Sequence, residues 1–512
     1  MADGSAGSTR VELSLARGIR TAAARWPGRI AIEMGEARLT YRALAGMLAR
    51  IANLAAGLGL EPGDRVAFVS GNRLEFGAIV SGLAEAGVIV ATLGDKLTAA
   101  ELAGILADCS PRLVLGDAGG PAESAAAAAG IDFIDLERRW PALLDAASET
   151  PRFSALRESD AFGLSYTSGT TGAPKGVMLT HRSRSLTFMA MAAEYGCFGS
   201  GDRFLVLTPM SHGAGFVFGM APLVFGGTSV ILETGDPERI ADRLAQTDLS
   251  GVFLVPTQLS RLATLLPARL RAGAALKSII SNASALAQPL KEIVIGTYGA
   301  GLLHETYGST EAGIVTNIRP EELRAKPGSV GTPFPLIEVS LRDEAGAEVA
   351  PGLPGELFVR GPYAFAGYWN ASGPTADAVI DGWVTVGDMA SRDADGFITI
   401  VDRKMDMVVS GGLNVYPREV ELVLADVPGV RDVAVIGVPD AEWGERLQAF
   451  VVGAATPDAL RAAARARLAP HKVPKDFSFL DELPRGPTGK VLKRTLREAG
   501  NSLSGSSSEV IA

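Results

Sequence analysis

The stretch RVAFVSGNRLEFGAIVSGLAEAGVIVATL, residues 65–93, decides the fold class of this chain. Its first part, Arg65–Ser70, is a short apolar run typical of a buried strand, and Glu75–Leu93 continues as a helix followed by a second strand. The same alternation extends on both sides, from a helix at Leu39–Leu58, with Thr40 as its cap, to a strand at Arg112–Asp117. Alternating strands and helices predict an α/β fold with largely parallel sheets.

The pattern of hydrophobic and polar residues changes after Gly331. Short alternating strands separated by Gly, Pro and Asp predict a small β-barrel. From about Met405, a helix that begins near Pro417 and the strands and helix after it predict a compact α+β module. We therefore predict a large N-terminal domain over residues 1–403, made of two α/β subdomains and the barrel, a small C-terminal domain over 406–500, and a disordered tail over 501–512.

Composition excludes several classes of protein. The net charge of −9 over 512 residues repels nucleic acid on average. Only two cysteines are present, Cys109 and Cys197, which excludes a disulfide framework and fits a reducing, cytoplasmic location. Four histidines show no metal-binding spacing. Phe204–Leu232 lacks charged residues and is long enough to span a bilayer, but its two prolines and five glycines favour strand, loop, helix and strand instead of membrane insertion.

A second stretch, YTSGTTGAPKGVMLTH (Tyr166–His181), concentrates hydroxyls, glycines and one lysine after a predicted strand. Hydroxyls and backbone N–H groups on a glycine-rich turn form a concave set of donors that binds phosphate oxygens, and a lysine adds positive charge. The Walker A pattern is absent. Taken alone, the stretch has an equally plausible alternative, an ordinary polar surface loop.

Four further motifs follow in order: YGSTEAG (Tyr307–Gly313), GWVTVGDMASRDADGFITIVDRK (Gly382–Lys404), SGGLNVYPREVE (Ser410–Glu421) and PRGPTGKVLKR (Pro484–Arg494). With the phosphate loop, they resemble the core motifs of the adenylate-forming superfamily of acyl-CoA synthetases, luciferases and peptide-synthetase adenylation domains. The resemblance covers roughly residues 10–500. It implies a large domain with a small mobile C-terminal domain, ATP and Mg²⁺, a carboxylate that attacks the α-phosphorus, and a thiol that then displaces AMP from the acyl-adenylate.

The resemblance also assigns roles to residues. The residues that it assigns to ATP binding are Thr167, Ser168, Gly169, Thr170, Thr171, Gly172, Lys175, Ala283, Ser284, Glu305, Thr306, Tyr307, Gly308, Ser309, Asp388, Arg403 and Asn414. It places in catalysis Lys490, Thr310, Glu311 and His212, with Glu311 also as the Mg²⁺ ligand. The residues that it places beside the pantetheine of coenzyme A are Gly411 and Gly412.

Within this assignment, Tyr307 stacks on adenine, and Asp388 and Arg403 hold the ribose. Lys490 bridges the carboxylate and the α-phosphate, and His212 gates the acyl pocket. Three of these residues have alternatives in ordinary protein structure: a core aromatic for Tyr307, a surface carboxylate for Glu311 and a hydrogen-bonded core histidine for His212.

The sequence departs from the family pattern at three positions. Met405 stands where the family often has Asp or Lys at the interdomain hinge. Asn282 stands where many relatives have Gly, and Asn414 where they often have Gln. We therefore leave the pivot open, and we expect the Asn282 amide to narrow the acyl pocket or to bind a polar substituent.

Candidate pocket residues indicate the class of acid. The walls that the resemblance implies are Met189–Ala193, His212–Phe218, Val255–Gln258, Asn282–Ala285 and Ser309–Gly313, and the pocket residues among them are Phe216, Phe218, Asn282 and Gly313. Gly213 follows the gate where amino-acid-activating relatives have Asp, which disfavours an α-amino acid. No Arg or Lys lies in these segments, which argues against a dicarboxylate such as malonate. An apolar aryl, arylpropenoic or aliphatic acid fits best.

We predict an AMP-forming carboxylic acid–coenzyme A ligase, with no fused carrier domain and with a homodimer left open. The alternative within the superfamily is a stand-alone adenylating enzyme that loads a carrier protein or passes the adenylate to an amine or another nucleophile. A nucleotide-binding regulatory protein without catalysis is a third hypothesis, from a different class.

Overall fold

The computed structural model describes residues 12–152, 154–167, 174–265, 276–410, 412–440, 442–485 and 491–503. The chain forms two compact units: the first contains Met1–Pro327, Pro333–Glu338 and Val359–Val384, and the second contains Gly328–Thr332, Val339–Phe358 and Thr385–Ala512. Residues from Thr385 onward thus belong with the C-terminal residues. The hinge predicted near Met405 falls inside the second unit, and the domain boundary at 403 stays a prediction.

The helices of the described residues are α1 (Leu15–Arg25), α2 (Tyr41–Gly57), α3 (Phe76–Glu85), α4 (Ala99–Cys109), α5 (Pro121–Ala129), α6 (Arg139–Ala146), α7 (His181–Tyr195), α8 (Gly213–Phe225), α9 (Pro237–Leu244), α10 (Pro256–Leu262), α11 (Gln288–Tyr298), α12 (Ser372–Ala378), α13 (Pro417–Ala425), α14 (Pro457–Arg467) and α15 (Lys493–Leu503). The Thr40 hydroxyl accepts a hydrogen bond from the Ala43 N–H at 3.2 Å and caps α2, as predicted. Helix α13 begins at Pro417, also as predicted.

The strands of the same residues are β1 (Ile30–Met34), β2 (Ala37–Thr40), β3 (Arg65–Val69), β4 (Ile89–Leu93), β5 (Leu113–Gly116), β6 (Asp132–Asp135), β7 (Ala161–Thr167), β8 (Lys175–Thr180), β9 (Arg203–Val206), β10 (Thr228–Ile231), β11 (Gly251–Phe253), β12 (Ser278–Ser281), β13 (Leu303–Ser309), β14 (Gly313–Ile318), β15 (Thr332–Pro333), β16 (Glu338–Arg342), β17 (Gly355–Arg360), β18 (Val379–Ile380), β19 (Trp383–Val384), β20 (Asp388–Arg392), β21 (Ile398–Arg403), β22 (Val408–Ser410), β23 (Leu413–Val415), β24 (Val430–Asp440), β25 (Gly444–Gly453) and β26 (Asp476–Phe479).

The opening stretch forms the β3–α3–β4 unit that its pattern predicts. Strands β3 and β4 pair in parallel, with Arg65 opposite Ile89 and Val69 opposite Leu93. The sheet runs in the order β6–β5–β3–β4–β7–β8, and only its last pair, β7 with β8, is antiparallel. Every residue of α3 is buried, because this crossover helix packs inside the first unit. The antiparallel end places the two ends of the phosphate loop side by side.

A second sheet of the first unit contains the order β14–β13–β12–β11–β9–β10–β1–β2. Its central strands are parallel, whereas β14 and β2 are antiparallel to their neighbours. The uncharged segment Phe204–Leu232 resolves into β9, α8 and β10, as predicted. Across the described ranges, no helix combines the length and the apolar character that a bilayer span requires.

The second unit is a separate α/β structure. Strands β22, β25 and β24 form an antiparallel sheet that β26 extends in parallel, and residues of α13 and α14 contribute to its hydrophobic core. Antiparallel pairs of β20 with β17 and with β21 occur where the small β-barrel is predicted. Helix α15 continues to Leu503, three residues into the predicted tail. The predicted fold class, mixed α/β with parallel sheets and a separate C-terminal module, is confirmed.

Candidate active site

Strands β7 and β8 place the predicted phosphate loop. Thr167 ends β7 directly opposite Lys175, the first residue of β8. The Lys175 Nζ lies 5.2 Å from the ring centroid of Tyr368, within the range of a cation–π contact. The other predicted loop residues, Ser168, Gly169, Thr170, Thr171 and Gly172, lie outside the described residues. Their phosphate contacts therefore stay a prediction.

The β13–β14 hairpin fixes the turn that presents Thr310 and Glu311. A methyl group at Gly308 would lie 2.2 Å from the Gly313 carbonyl oxygen, and Gly313 has a φ of +76°, so both positions require glycine. The Ser309 hydroxyl accepts a hydrogen bond from the Ala312 N–H at 3.0 Å and closes the turn. Ser309 and Gly308 thus shape the backbone that holds the two predicted catalytic residues.

Glu311 is held by a neighbouring phenol. Its side chain is only 8% exposed, and the Tyr368 hydroxyl donates a hydrogen bond to Oε1 at 2.9 Å. Its carbonyl oxygen accepts from the Phe365 N–H at 2.8 Å. Tyr368 therefore contacts both Lys175 and Glu311, so the predicted phosphate-binding cation and the predicted metal ligand share one neighbour.

This arrangement fits Mg²⁺ delivered with ATP. No group of three or more His, Cys, Asp or Glu side chains among the described residues forms a ready-made metal site. Mg²⁺ is often bound through one or two carboxylates and the phosphates of its nucleotide, with water as the remaining ligands. A single carboxylate fixed at Glu311, beside the hydroxyl of Thr310, matches that donor set.

His212 and Phe216 line a cavity next to this turn. Its full lining is Val90, Thr92, Phe162, Gly163, Leu164, Ser165, Leu179, Arg184, Ser211, His212, Gly213 and Phe216. A methyl group at Gly213 would lie 3.7 Å from the Thr310 Oγ1, which places this edge of the cavity beside the turn that holds the predicted catalytic residues Thr310 and Glu311. Burial lowers the pKa of His212, and the Asp95 carboxylate opposes this shift, so the imidazole is neutral at pH 7.

Phe218, two residues after Phe216 on α8, does not line this cavity. Two residues turn an α-helix by about 200°, so the two rings leave opposite faces. The Phe218 ring stacks on Phe253 at 4.5 Å and on Phe204 at 5.9 Å, inside the core. Asn282 and Gly313 are also absent from the cavity lining.

The segment predicted to lie beside adenine is attached to β13. Ala283 adopts a left-handed backbone with φ of +83°, and its N–H donates to the side-chain oxygen of Asn282. The Leu286 N–H donates to Glu305 Oε1 at 2.9 Å, and Glu305 Oε2 pairs with the Lys291 Nζ at 2.5 Å. The Glu305 carboxylate therefore anchors this segment from the interior.

Other predicted nucleotide-binding residues differ in exposure. The Thr306 hydroxyl donates a hydrogen bond to the Thr316 carbonyl oxygen at 2.8 Å, so this side chain stabilises the β13–β14 hairpin. Tyr307 is half-buried, whereas Ala283 and Ser284 are exposed. Side-chain contact with a nucleotide is thus open to Tyr307 and Ser284, while Thr306 could contribute only through its backbone.

The second unit builds the predicted ribose pair by strand register. Asp388 of β20 lies opposite Arg403 of β21, and the Arg403 Nε is 2.6 Å from Asp388 Oδ1. Gly412 has a φ of +77° in the turn between β22 and β23, and Asn414 is exposed on β23. Gly411 and Lys490 lie outside the described residues, so their roles stay predictions.

Comparison with known proteins gives the family. Residues 19–369 match the model of the AMP-binding enzyme family, and residues 419–490 match that of the AMP-binding enzyme C-terminal domain. The chain belongs to the AMP-binding enzyme family. The predicted adenylate-forming superfamily and the predicted enzyme class, an AMP-forming acid–CoA ligase, are confirmed.

Individual relatives of this AMP-binding enzyme align along nearly its whole length. A feruloyl-CoA synthase from an Amycolatopsis species is 36% identical over 92% of this chain and 96% of its own. A long-chain-fatty-acid–CoA ligase from Salmonella typhimurium is 32% identical over 91% of both chains. The ATP-bound crystal structure of MatB from Rhodopseudomonas palustris superposes with a TM-score of 0.87 at 30% identity, covering 94% of this chain and 98% of that one.

Three residues of the candidate site were missed by sequence reasoning. Tyr368 lies between the motifs Tyr307–Gly313 and Gly382–Lys404, and no sequence signal links it to Glu311. Arg184 and Ser211 line the cavity, although no Arg or Lys lies in the predicted wall segments. The signal for Arg184 is weak: a basic residue in the first turn of a helix that is otherwise largely buried.

Proposed function

We propose that this enzyme activates a carboxylic acid as its acyl-adenylate with ATP and transfers the acyl group to coenzyme A. The observation that supports it best is the Lys175–Tyr368–Glu311 arrangement, in which a cation and a carboxylate contact one phenol. Two groups of opposite charge at one place suit a magnesium-bound triphosphate, whose phosphates need the cation and whose metal needs the carboxylate.

In the first step, a carboxylate oxygen of the acid attacks the α-phosphorus, and the bond to the departing pyrophosphate breaks. Lys175 and the loop after Thr167 hold the β- and γ-phosphates, and Lys490 bridges the two reacting groups. Bound Mg²⁺ would neutralise charge on the phosphates, with Glu311 as its protein ligand and the Thr310 hydroxyl beside it. These residues act by orientation and charge stabilisation.

In the second step, the thiol of coenzyme A loses its proton and its sulfur bonds to the acyl carbon. The bond from that carbon to the phosphate oxygen breaks, and AMP leaves with both electrons of that bond. Gly412, with its left-handed backbone and no atom near a potential Cβ, leaves room for pantetheine to pass the backbone.

The acid that we propose has an aryl, arylpropenoic or aliphatic skeleton. The cavity beside Thr310 has Phe162 and Phe216 in its lining, and no carboxylate side chain lines it. An α-ammonium group would therefore enter without a counter-ion, which makes an amino acid unfavourable. Both cysteines are buried free thiols, consistent with the cytoplasmic location that we propose.

The test is release of pyrophosphate and AMP against a panel of aryl and aliphatic acids, with and without coenzyme A. We expect pyrophosphate release to need acid, ATP and Mg²⁺, and sustained AMP release to need coenzyme A. If a carrier protein or an amine replaces coenzyme A as the more efficient acceptor, the alternative adenylating function is correct.

Replacing Lys490 with Ala separates the two half-reactions. We expect Lys490→Ala to abolish adenylate formation while sparing thioester formation from supplied acyl-adenylate. Arg494→Ala is the matched control, because it removes an exposed cation four residues further along. Equal losses in both half-reactions would contradict the role of Lys490.

A further inference from the structure

A buried arginine in the first unit has no counter-ion. Arg184, in the first turn of α7, is 3% exposed. Within the described part of the chain, no hydrogen bond or ion pair joins its guanidinium, and its Nε is buried without an acceptor. Arg182, two residues earlier, has a half-exposed side chain that pairs with Glu158. The helix therefore directs one arginine outward to a carboxylate and the other inward to none.

Arg184 faces the cavity beside the catalytic turn, and a second unsatisfied group faces it there. The Ser211 hydroxyl is buried and has no hydrogen-bond partner among the described residues. A methyl group at Gly94 would lie 3.7 Å from both the Ser211 Oγ and the His212 Nε2, so these two atoms border the same space. A guanidinium, a hydroxyl and a neutral imidazole thus line one cavity.

This set of groups is complementary to an anion. Burial lowers the pKa of Arg184 to about 10, which leaves it protonated at neutral pH. A buried charge is costly unless it is paired, and buried polar groups are nearly always hydrogen-bonded. A planar guanidinium matches a carboxylate with two parallel hydrogen bonds, and Ser211 can donate a third.

The cavity is also placed to receive the far end of an acid. It is partly open, and its interior volume of about 10 Å³ is enough for one small polar group beside Arg184. Gly213 lines it and lies beside Thr310, which is predicted to act in catalysis. An acid whose reacting carboxylate lies near Thr310 could therefore extend past His212 toward Arg184.

We propose that the acid substrate carries a second carboxylate, which binds Arg184 and Ser211 in this cavity. The inference rests on the proposed ligase function and specifies its substrate class as a dicarboxylic acid with an aryl or aliphatic skeleton. It reverses the expectation against a dicarboxylate, because that expectation considered only the predicted wall segments and Arg184 lies outside them. A free anion such as chloride shares the required charge. A tethered carboxylate is favoured because the cavity adjoins the catalytic turn.

The experiment compares monocarboxylic acids with dicarboxylic acids of the same skeleton, such as hexanoate with adipate and cinnamate with 4-carboxycinnamate. The neutral amide 4-carbamoylcinnamate controls for size. Pyrophosphate release gives kcat/KM for each acid. We expect the wild-type enzyme to favour the better-fitting dicarboxylate at least about tenfold, and Arg184→Met to lower the dicarboxylate-to-monocarboxylate ratio about 100-fold.

Three further variants sharpen the comparison. Arg184→Lys keeps the positive charge but loses the planar guanidinium, which can make two parallel hydrogen bonds to a carboxylate. Its dicarboxylate-to-monocarboxylate ratio should therefore lie between those of the wild type and Arg184→Met. Ser211→Ala should lower the ratio by a smaller factor, about tenfold or less. Arg182→Met removes a cation from the same helical turn outside the cavity and should leave the ratio unchanged.

Thermal unfolding gives a second measurement. The dicarboxylic acid should raise the Tm of the wild-type protein and should not raise that of Arg184→Met. If Arg184→Met does not fold, Arg184→Lys and Ser211→Ala still test the ratio.

Several results would overturn the inference. These are an unchanged ratio in Arg184→Met, a wild-type preference for monocarboxylates, or a chloride requirement for monocarboxylate turnover that Arg184→Met removes. The last result would assign the cavity to a free anion. Pyrophosphate release from monocarboxylates alone refutes only the inference, whereas no release from any acid refutes the proposed function as well.

Discussion

Tyr368→Phe tests whether one phenol positions Glu311, the proposed Mg²⁺ ligand of this enzyme. The substitution removes the hydroxyl that donates to Glu311 Oε1 at 2.9 Å. It keeps the aromatic ring 5.2 Å from the Lys175 Nζ, so the contact with the proposed phosphate-binding cation is retained. The change therefore removes the hydrogen bond to the carboxylate and keeps the ring beside Lys175.

The size of the effect follows from the kind of hydrogen bond that is lost. A hydrogen bond to a charged group contributes about 1.5–3 kcal/mol, because the ionised acceptor strengthens it. Glu311 is 8% exposed, so water replaces the phenol poorly. If the whole difference appears when MgATP binds and reacts, kcat/KM for MgATP falls about 10- to 100-fold.

The assay is pyrophosphate release as a function of Mg²⁺ at a saturating concentration of the acid. We expect Tyr368→Phe to raise the Mg²⁺ concentration that gives half-maximal rate, in addition to lowering kcat/KM. Tyr363→Phe is the matched control. It removes a phenol hydroxyl of the same segment that donates to the Pro335 carbonyl oxygen at 2.5 Å, away from Glu311.

One outcome would refute this reasoning. If Tyr368→Phe and Tyr363→Phe have the same Mg²⁺ dependence as the wild type, the phenol does not position Glu311 for the metal. Equal losses in both variants would instead indicate general damage to the segment, and the specific role of Tyr368 would again be rejected.

Two further predictions concern buried groups away from the reacting atoms. Lys291→Met leaves the Glu305 carboxylate buried without its cation, so it should destabilise the first unit by about 3–5 kcal/mol in urea unfolding, whereas Lys291→Met with Glu305→Gln should recover most of the loss. Burial lowers the pKa of His181 from 6.5 to about 4, so the unfolded chain binds more protons between these values. Stability should thus fall by up to about 3 kcal/mol as the pH drops from 6.5 to 4, and His181→Asn should flatten this slope in urea unfolding measured against pH.

The sequence alone predicted those parts of the fold in which the interacting residues are close together in the chain. The β3–α3–β4 unit follows from a short apolar run, a helical period and a second run within residues 65–93. The predicted ribose pair, Asp388 and Arg403, follows from the antiparallel register of β20 and β21 once the single motif that contains both residues is recognised. In each case, neighbours in sequence or in one hairpin carry the geometry.

Contacts between distant segments could not be predicted in this way. Tyr368 and Glu311 are 57 residues apart, and no periodicity links them. Helical geometry separates Arg182 and Arg184 by about 200°, so one of them must face inward on a packed helix. Which one does so depends on the elements that cover α7, and a single sequence does not contain that information.

The unpaired state of Arg184 gives the site a means of discriminating among acids. A dicarboxylic acid would neutralise the guanidinium, whereas a monocarboxylic acid of the same skeleton would leave it buried and uncompensated. Sites that hydrogen-bond a substrate group reject analogues that lack it far more strongly than apolar pockets do, because the polar groups of the site are then left unsatisfied. The residues in this comparison, Arg184, Ser211 and Thr310, all belong to the first unit. The choice of acid should therefore change in Arg184→Met, while the Asp388–Arg403 pair of the second unit, which is predicted to bind ribose, should be unaffected.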